Sequence, residues 1–254
     1  MSATLRVLGL TAAQLHVARE LAGEMRPPLT APGRPQCAIF LTMVEQFEAT
    51  LILAQAGLAS HGATHVRAML EAFVALKLLA DKPQHVEQMQ YEQLRGEKRL
   101  YERVLKFPEL VGDYRNKIEE QLASCLARFQ PLHDRNVRPV QLIEQFEHAG
   151  MGALAGPYSM LCSFAHNDLA ALAFRHQGEK GMTLRAGDTP DFVVMVLSTA
   201  TFALFQAAAM MGGIALFDEG KFDHHMQKMV ALHEAMMNLD SEPGAGAPPP
   251  HPIA

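Results

Sequence analysis

The chain has 254 residues, 49% of them hydrophobic and 19% charged, with a formal net charge of -5. This composition supports a sizeable packed core, and the charge excludes global attraction to nucleic acid or to an anionic membrane surface, leaving only local basic patches. The three cysteines, Cys37, Cys125 and Cys162, show no C-x-x-C spacing, which argues against a disulfide scaffold and for a reducing, cytoplasmic setting.

The opening residues, MSATLRVLGLTAAQL, lack the basic region and apolar run of a secretory leader. Thr11-Ala-Ala-Gln14 has the form of a capping box and predicts a helix over 11–24. Residues 25–36 carry Pro27, Pro28, Pro32 and Pro35. They read as a connection that sets an N-terminal arm, 1–35, apart from a bundle domain, 36–239. A helix follows over 37–56, with Ile39, Phe40, Met43, Phe47 and Leu51 at helical spacing and Gly57 as its stop. The helix over 60–80 is apolar nearly all round. Val66, Met69, Leu70, Phe73 and Leu76 share one face, and Thr64, Ala68 and Ala75 form a small-residue face. Such a helix belongs in the middle of a bundle.

A polar helix opens at Pro83 and runs to about 105. A second surface helix, 109–129, has Ile118, Leu122, Cys125, Leu126 and Phe129 as its core stripe. The prolines at Pro131 and Pro139 predict a loop, and a short helix then runs to Gly150. One helix is expected over 157–174. Residues 173–185 alternate around Gly178 and Gly181, which fits a small hairpin or a loop. The segment 192–217 has no charged residue and is long enough to cross a bilayer. Its acidic flanks (Asp188, Asp191, Asp218, Glu219), the lack of an aromatic belt or basic cluster, and Ser198, Thr199, Thr201 and Gln206 favour a buried core helix. The last helix spans 221–239, with His224, His225 and His233 read as surface residues. Residues 240–254, rich in glycine and proline, are expected to form a disordered tail. The fold class is an all-α, single-domain helical bundle with one fully buried apolar helix and room for a small hairpin. Its core helices are expected at 37–56, 60–80, 157–174 and 190–217.

One polar centre stands out. Arg67 precedes Glu71 by one turn, beside Val74 and Leu78. On an exposed helix the acid-first order is the stabilising one, so surface stabilisation explains the pair poorly. A buried pair needs further hydrogen-bond partners to offset desolvation. Tyr158 and His166 are the candidates.

The pattern His61-x-x-x-His65-x-Arg67-x-x-x-Glu71, then Tyr91, then Tyr158-x-x-Leu-Cys-Ser-Phe-Ala-His166 resembles a bacterial all-helical family, domain of unknown function 5677. The resemblance covers about 36–216. It implies a helical fold and the grouping of these residues, and it supplies no activity. Cys162 stands where that family's pattern has serine.

Two roles stay open for Arg67, Glu71, Tyr158 and His166. One is a structural network that fixes helix register. The other is a ligand pocket or acid–base site, with His166 titrating and Arg67 clamping an anion. On the second role, the leading function is a binding or interaction module for a small molecule or protein. The alternative is an enzyme, nuclease- or toxin-like in the manner of HEPN ribonucleases, with Arg67 holding a phosphate of RNA and His166 as the acid–base group. Membrane association through 192–217 ranks third. Arg128 and His133 have a HEPN-like spacing, but Pro131 is expected to break the helix that would present them. His61 and His65 are one turn apart, the spacing of two metal ligands. Neither they, nor Glu144 with His148, nor Glu45 with Glu48 complete a paired Glu-x-x-His motif, so neither metal nor cofactor is expected. Cys162 reads as an inert thiol among apolar neighbours. A homo-oligomer is compatible with the sequence.

Overall fold

The computed structural model describes residues 2–166 and 168–239. The expected tail at 240–254 lies outside the described residues. The fold is all-α, with ten α-helices and one two-stranded ribbon among the described residues. The contacts group the chain into two compact units, one from 1–76 and 153–254, the other from 77–152.

In the first unit, α1 (Ala3–Glu24), α2 (Gly33–Gln55), α9 (Pro190–Met211) and α10 (Lys221–Met237) pack together. Helix α1 begins earlier than the Thr11 capping box suggests. Ser2 is its N-cap, accepting from the Leu5 amide at 3.3 Å, because Leu5 to Leu10 continue the helical pattern upstream. Thr11 is buried and bonds back to the Val7 carbonyl at 2.8 Å, and Gln14 donates to the Thr201 carbonyl on α9 at 3.0 Å. The N-terminal helix is therefore laid into the unit rather than standing off as an arm. The proline-rich connection is also pinned: Arg26 and Leu216 exchange backbone hydrogen bonds at 2.9 Å. Pro35 sits in the first turn of α2, where a missing N–H costs no helical bond, so α2 starts before Cys37.

Helix α9 carries Val193, Val196, Leu197, Ala200, Ala203, Leu204, Ala207 and Met211 in the core. It is capped by Thr189, which accepts from the Phe192 amide, and Pro190 opens its first turn. Both α2 and α9 are long and apolar enough to cross a membrane. In this structure they pack against each other and against α1.

Helix α3 (Ala59–Asp81) buries Val66, Met69, Leu70, Phe73, Val74 and Leu76. The stripe of Thr64, Arg67, Ala68, Glu71 and Ala75 stays half-buried, so the small-residue face is a partly open edge. The helix expected over 157–174 is two helices, α7 (Ala155–His166) and α8 (Leu169–His176). Asp168 starts the second, its carboxylate accepting from the Ala171 amide at 2.9 Å. The ribbon pairs β1 (Gln177–Gly178) with β2 (Gly181–Met182), so the alternation does form a hairpin. Phe164, Phe174 and Phe192 cluster with centroids 4.7–5.5 Å apart. Gly187 lies against this cluster. A Cβ there would come within 2.4 Å of the Phe174 ring and 2.6 Å of its carbonyl oxygen. Gly187→Ala is expected to cost about 1–3 kcal/mol through overpacking, read by urea denaturation.

Of the histidines expected at the surface, one is buried and one is half-buried. His225 is buried between α10 and α1, its Nε2 3.0 Å from Glu24, and His233 stacks on Phe205 with centroids 4.3 Å apart. Histidine bodies are apolar enough to fill a core position when a carboxylate or ring meets them.

In the second unit, α4 (His85–Val104) packs on α5 (Asp113–Asp134), followed by α6 (Leu142–His148). The core between α4 and α5 is Tyr91, Leu94, Cys125, Phe129 and Leu132. The α5 stripe turns toward Leu132 at spacings of four and three residues, which leaves Leu126 exposed. Pro131 lies inside α5, three residues from its end, and the helix continues to Asp134. Its missing N–H removes the bond to the Ala127 carbonyl, while its own carbonyl still accepts from the Arg135 amide at 3.3 Å, so only one turn follows the break.

Burial holds the His85 imidazole below its usual 6.5, with the Gln88 hydrogen bond and Glu92 offsetting only part of the effect. The unfolded chain therefore binds the proton more readily. His85 contributes fully above the unfolded value, and its contribution falls as pH drops below 6.5. Comparing denaturation at about pH 7.5 and about pH 5.5, His85→Gln is expected to lose less stability on acidification than the parent chain.

Candidate functional site

Arg67 and Glu71 lie on the half-buried edge of α3, and Tyr158 and Cys162 come from α7. The spacing of four on each helix stacks each pair along one face. Arg67 Nη2 is 2.7 Å from Glu71 Oε1 and donates to the Tyr158 hydroxyl at 3.1 Å. That hydroxyl donates in turn to Glu71 Oε1 at 2.8 Å. Arg67 Nε donates to Cys162 Sγ at 3.3 Å, and the guanidinium carbon lies 5.5 Å from the Tyr158 ring centroid. A planar fork suits this work better than a lysine, because three contacts fix its plane.

The electrostatics follow from this geometry. Burial opposes the Arg67 cation, but the hydrogen bonds to Tyr158 and Cys162 and the charge of Glu71 outweigh it, so the guanidinium is held charged above its ordinary range. Burial, then hydrogen bonding with Cys162 and Glu71, raises Tyr158 well above the usual phenol range. The tyrosine is a fixed neutral donor, and it sets the direction of the relay.

Two atoms of this centre are unspent. Every contact of Glu71 runs through Oε1, and every contact of Arg67 through Nε and Nη2. Among the described residues Arg67 Nη1 and Glu71 Oε2 take no partner, yet neither is a buried, unsatisfied atom. The side chains keep 24% and 33% of their surface. A donor and an acceptor of this pre-oriented pair therefore reach solvent.

Of the residues singled out in the sequence, Arg67, Glu71 and Tyr158 come together. His166 does not join them: it is exposed at the end of α7 and makes no hydrogen bond to the other three. Cys162, read as inert, is half-buried and serves as a hydrogen-bond acceptor for Arg67. The signal the sequence offers is its place one turn after Tyr158 on the same helix face. The two metal-spaced histidines diverge. His61 is exposed, whereas His65 Nδ1 is engaged by Gln46 on α2. Glu48 pairs with Arg19. Among the described residues no group of three or more His, Cys, Asp or Glu side chains could hold a metal ion. Arg128 and His133 do share helix α5, but Arg128 pairs with Glu97 at 3.2 Å and His133 stacks on Phe129 at 5.5 Å.

A family model described as a family of unknown function matches residues 36–182, a span that contains Arg67, Glu71, Tyr158 and Cys162. No curated protein and no solved structure matches the chain.

Proposed function

The chain belongs to the DUF5677 family, a family of unknown function, and from that premise we propose that it is a binding module whose ligand docks on the Arg67–Glu71–Tyr158 centre. The observation that carries this reading is the unspent pair, Arg67 Nη1 as donor and Glu71 Oε2 as acceptor. A network that served only to fix helix register would gain by shutting both atoms away or satisfying both within the fold. Here three contacts orient the guanidinium and leave one edge to solvent, which is the preorganisation that binding rewards. Glu71 already balances the Arg67 charge. The ligand is therefore a small polar molecule that presents an acceptor, such as a carboxylate or carbonyl oxygen, next to an N–H or O–H donor.

Binding is preferred over the nuclease-like alternative because the acid–base group of that scheme, His166, has no hydrogen-bond relay to Arg67. Tyr158, held protonated, is poor as a base near neutral pH. The free, dispersed cysteines support a reducing compartment, so we place the activity in the cytoplasm.

A thermal-shift screen tests the reading, using a panel of amino acids, amides, carboxylates and nucleosides. At least one compound should raise the melting temperature of the parent chain and lose that effect in Arg67→Lys, which keeps the charge and removes the fork. A panel whose stabilising members act equally on both proteins would count against the site.

A further inference from the structure

A cavity within the first unit shares no lining residue with the Arg67 centre. It encloses about 190 Å³ and takes Arg175, Arg185, His61, His176, Ser60 and Asp188 into its walls. This is below the size range of drug-sized pockets, so the occupant is small or enters by one end. Three separate segments converge to build the cavity: the start of α3, the end of α8, and the loop after β2.

Arg175, Arg185, His176 and Asp188 are each held by hydrogen bonds. Arg175 is only 4% exposed, and its Nη2 donates to the carbonyl oxygens of Ser60 at 3.0 Å and Phe164 at 3.1 Å. Its guanidinium carbon also lies 5.4 Å from the Phe164 ring centroid. These contacts place a fixed positive charge in the cavity wall. Arg185 has φ +63°, a region that side-chain-bearing residues rarely adopt. Its Nη1 donates to the Ala56 carbonyl at 3.0 Å, which leaves its remaining donors available. Gly57, at φ +68°, gives it room: a Cβ there would stand 3.4 Å from that Nη1. His176 is oriented through Nδ1, 3.3 Å from the Thr183 carbonyl oxygen, so Nε2 is its outward nitrogen. His61 is exposed at the rim. Asp188 stands in the same wall as an acceptor: its Oδ2 is buried with no hydrogen-bond partner among the described residues, so it can accept from a protonated phosphate oxygen. Its Oδ1 accepts from the Ser60 amide at 2.7 Å and so caps α3. One amide of the helix terminus is thereby satisfied, and two arginines against one carboxylate leave the cavity's side chains net positive.

We propose that this cavity binds a phosphate group, held by Arg175, Arg185 and the two imidazoles His61 and His176. Phosphate is favoured over carboxylate because the cationic and imidazole groups come from three separate segments, and the unpartnered Asp188 Oδ2 can accept from the P–O–H of a monoprotonated phosphate, which an ionised carboxylate does not offer. A planar carboxylate is satisfied by one fork, whereas a tetrahedral oxyanion uses donors all round. The group could be inorganic phosphate or the terminal phosphate of a small phosphomonoester.

The test is isothermal titration of the full-length chain with inorganic phosphate, adenosine monophosphate and acetate in turn. Phosphate should bind at one saturable site, with Arg185→Ala weakening it about tenfold or more and Arg67→Ala leaving it unchanged. That last control separates this site from the proposed ligand centre, so either assignment can fail alone. Monophosphate binding well above inorganic phosphate would show that the anion is part of a larger ligand; equal affinity would show a site for the free ion. Arg185→Lys should fall between the parent and the alanine variant. Should Arg185→Ala fail to fold, His61→Ala at the exposed rim carries the same test. Absence of saturable phosphate binding, acetate binding as tightly as phosphate, or equal phosphate affinity in the parent and Arg185→Ala would each overturn the proposal.

Discussion

Phe47→Ala is expected to lower stability to urea by about 3–5 kcal/mol, the range for truncating a fully buried phenylalanine. Phe47 is 0% exposed in α2. Met43 and Leu51 lie one turn to either side, and both are buried. Removing the ring takes away its transfer free energy and leaves a void between side chains fixed by helix packing, so the site cannot collapse fully. Because a domain of this kind has only about 5–15 kcal/mol of total stability, this is the largest single-residue effect expected here. A loss below about 1 kcal/mol would contradict the close packing of α2 against α1 and α9.

Arg67→Ala is expected to separate binding from stability. Its pair with Glu71 lies between the exposed and buried extremes, with 24% and 33% of the side chains accessible. Exposed pairs contribute about 0–1 kcal/mol, and breaking a buried pair costs about 3–5 kcal/mol. A stability loss of about 1–3 kcal/mol is therefore expected, with the chain still folded. Ligand affinity should fall by about 10- to 100-fold, since a hydrogen bond to a charged group contributes about 1.5–3 kcal/mol. Circular dichroism, urea denaturation and titration with the ligand found by thermal shift measure all three quantities on one sample.

The sequence carries the helices best where one periodic face dominates. Residues of α3, α9 and α10 recur at helical spacing, and Gly57 and Gly150, which end α2 and α6 in positive φ, read directly as stops. It misleads where a local signal competes with context. Thr11 and Gln14 have the form of a cap, yet both are core residues of α1, because burial against α9 outweighs the local motif. Pro131 reads as a breaker, but α5 runs through it for one further turn to Asp134 before it ends. Asp168 is an N-cap hidden inside an apolar run, so one expected helix became two.

The same distinction runs through the sites. Arg67 and Glu71 were legible because their order on the helix is wrong for surface stabilisation. Tyr158 was legible as a hydroxyl able to reach them. The exposure of His166 was not, since which face α7 turns outward depends on packing partners remote in sequence. The Arg175–Arg185 cavity was invisible for the same reason: its walls come from segments more than a hundred residues apart, as the bond between Arg185 and Ala56 illustrates.

Native mass spectrometry of the freshly purified chain tests the central claim, that Arg67 and Glu71 hold a ligand, most directly. A single mass excess that survives gentle desolvation, is absent from Arg67→Ala and persists in Arg185→Ala is the predicted result. An unliganded mass for the parent chain, even after incubation with the stabilising compounds of the thermal-shift panel, would contradict it and leave the network a structural role.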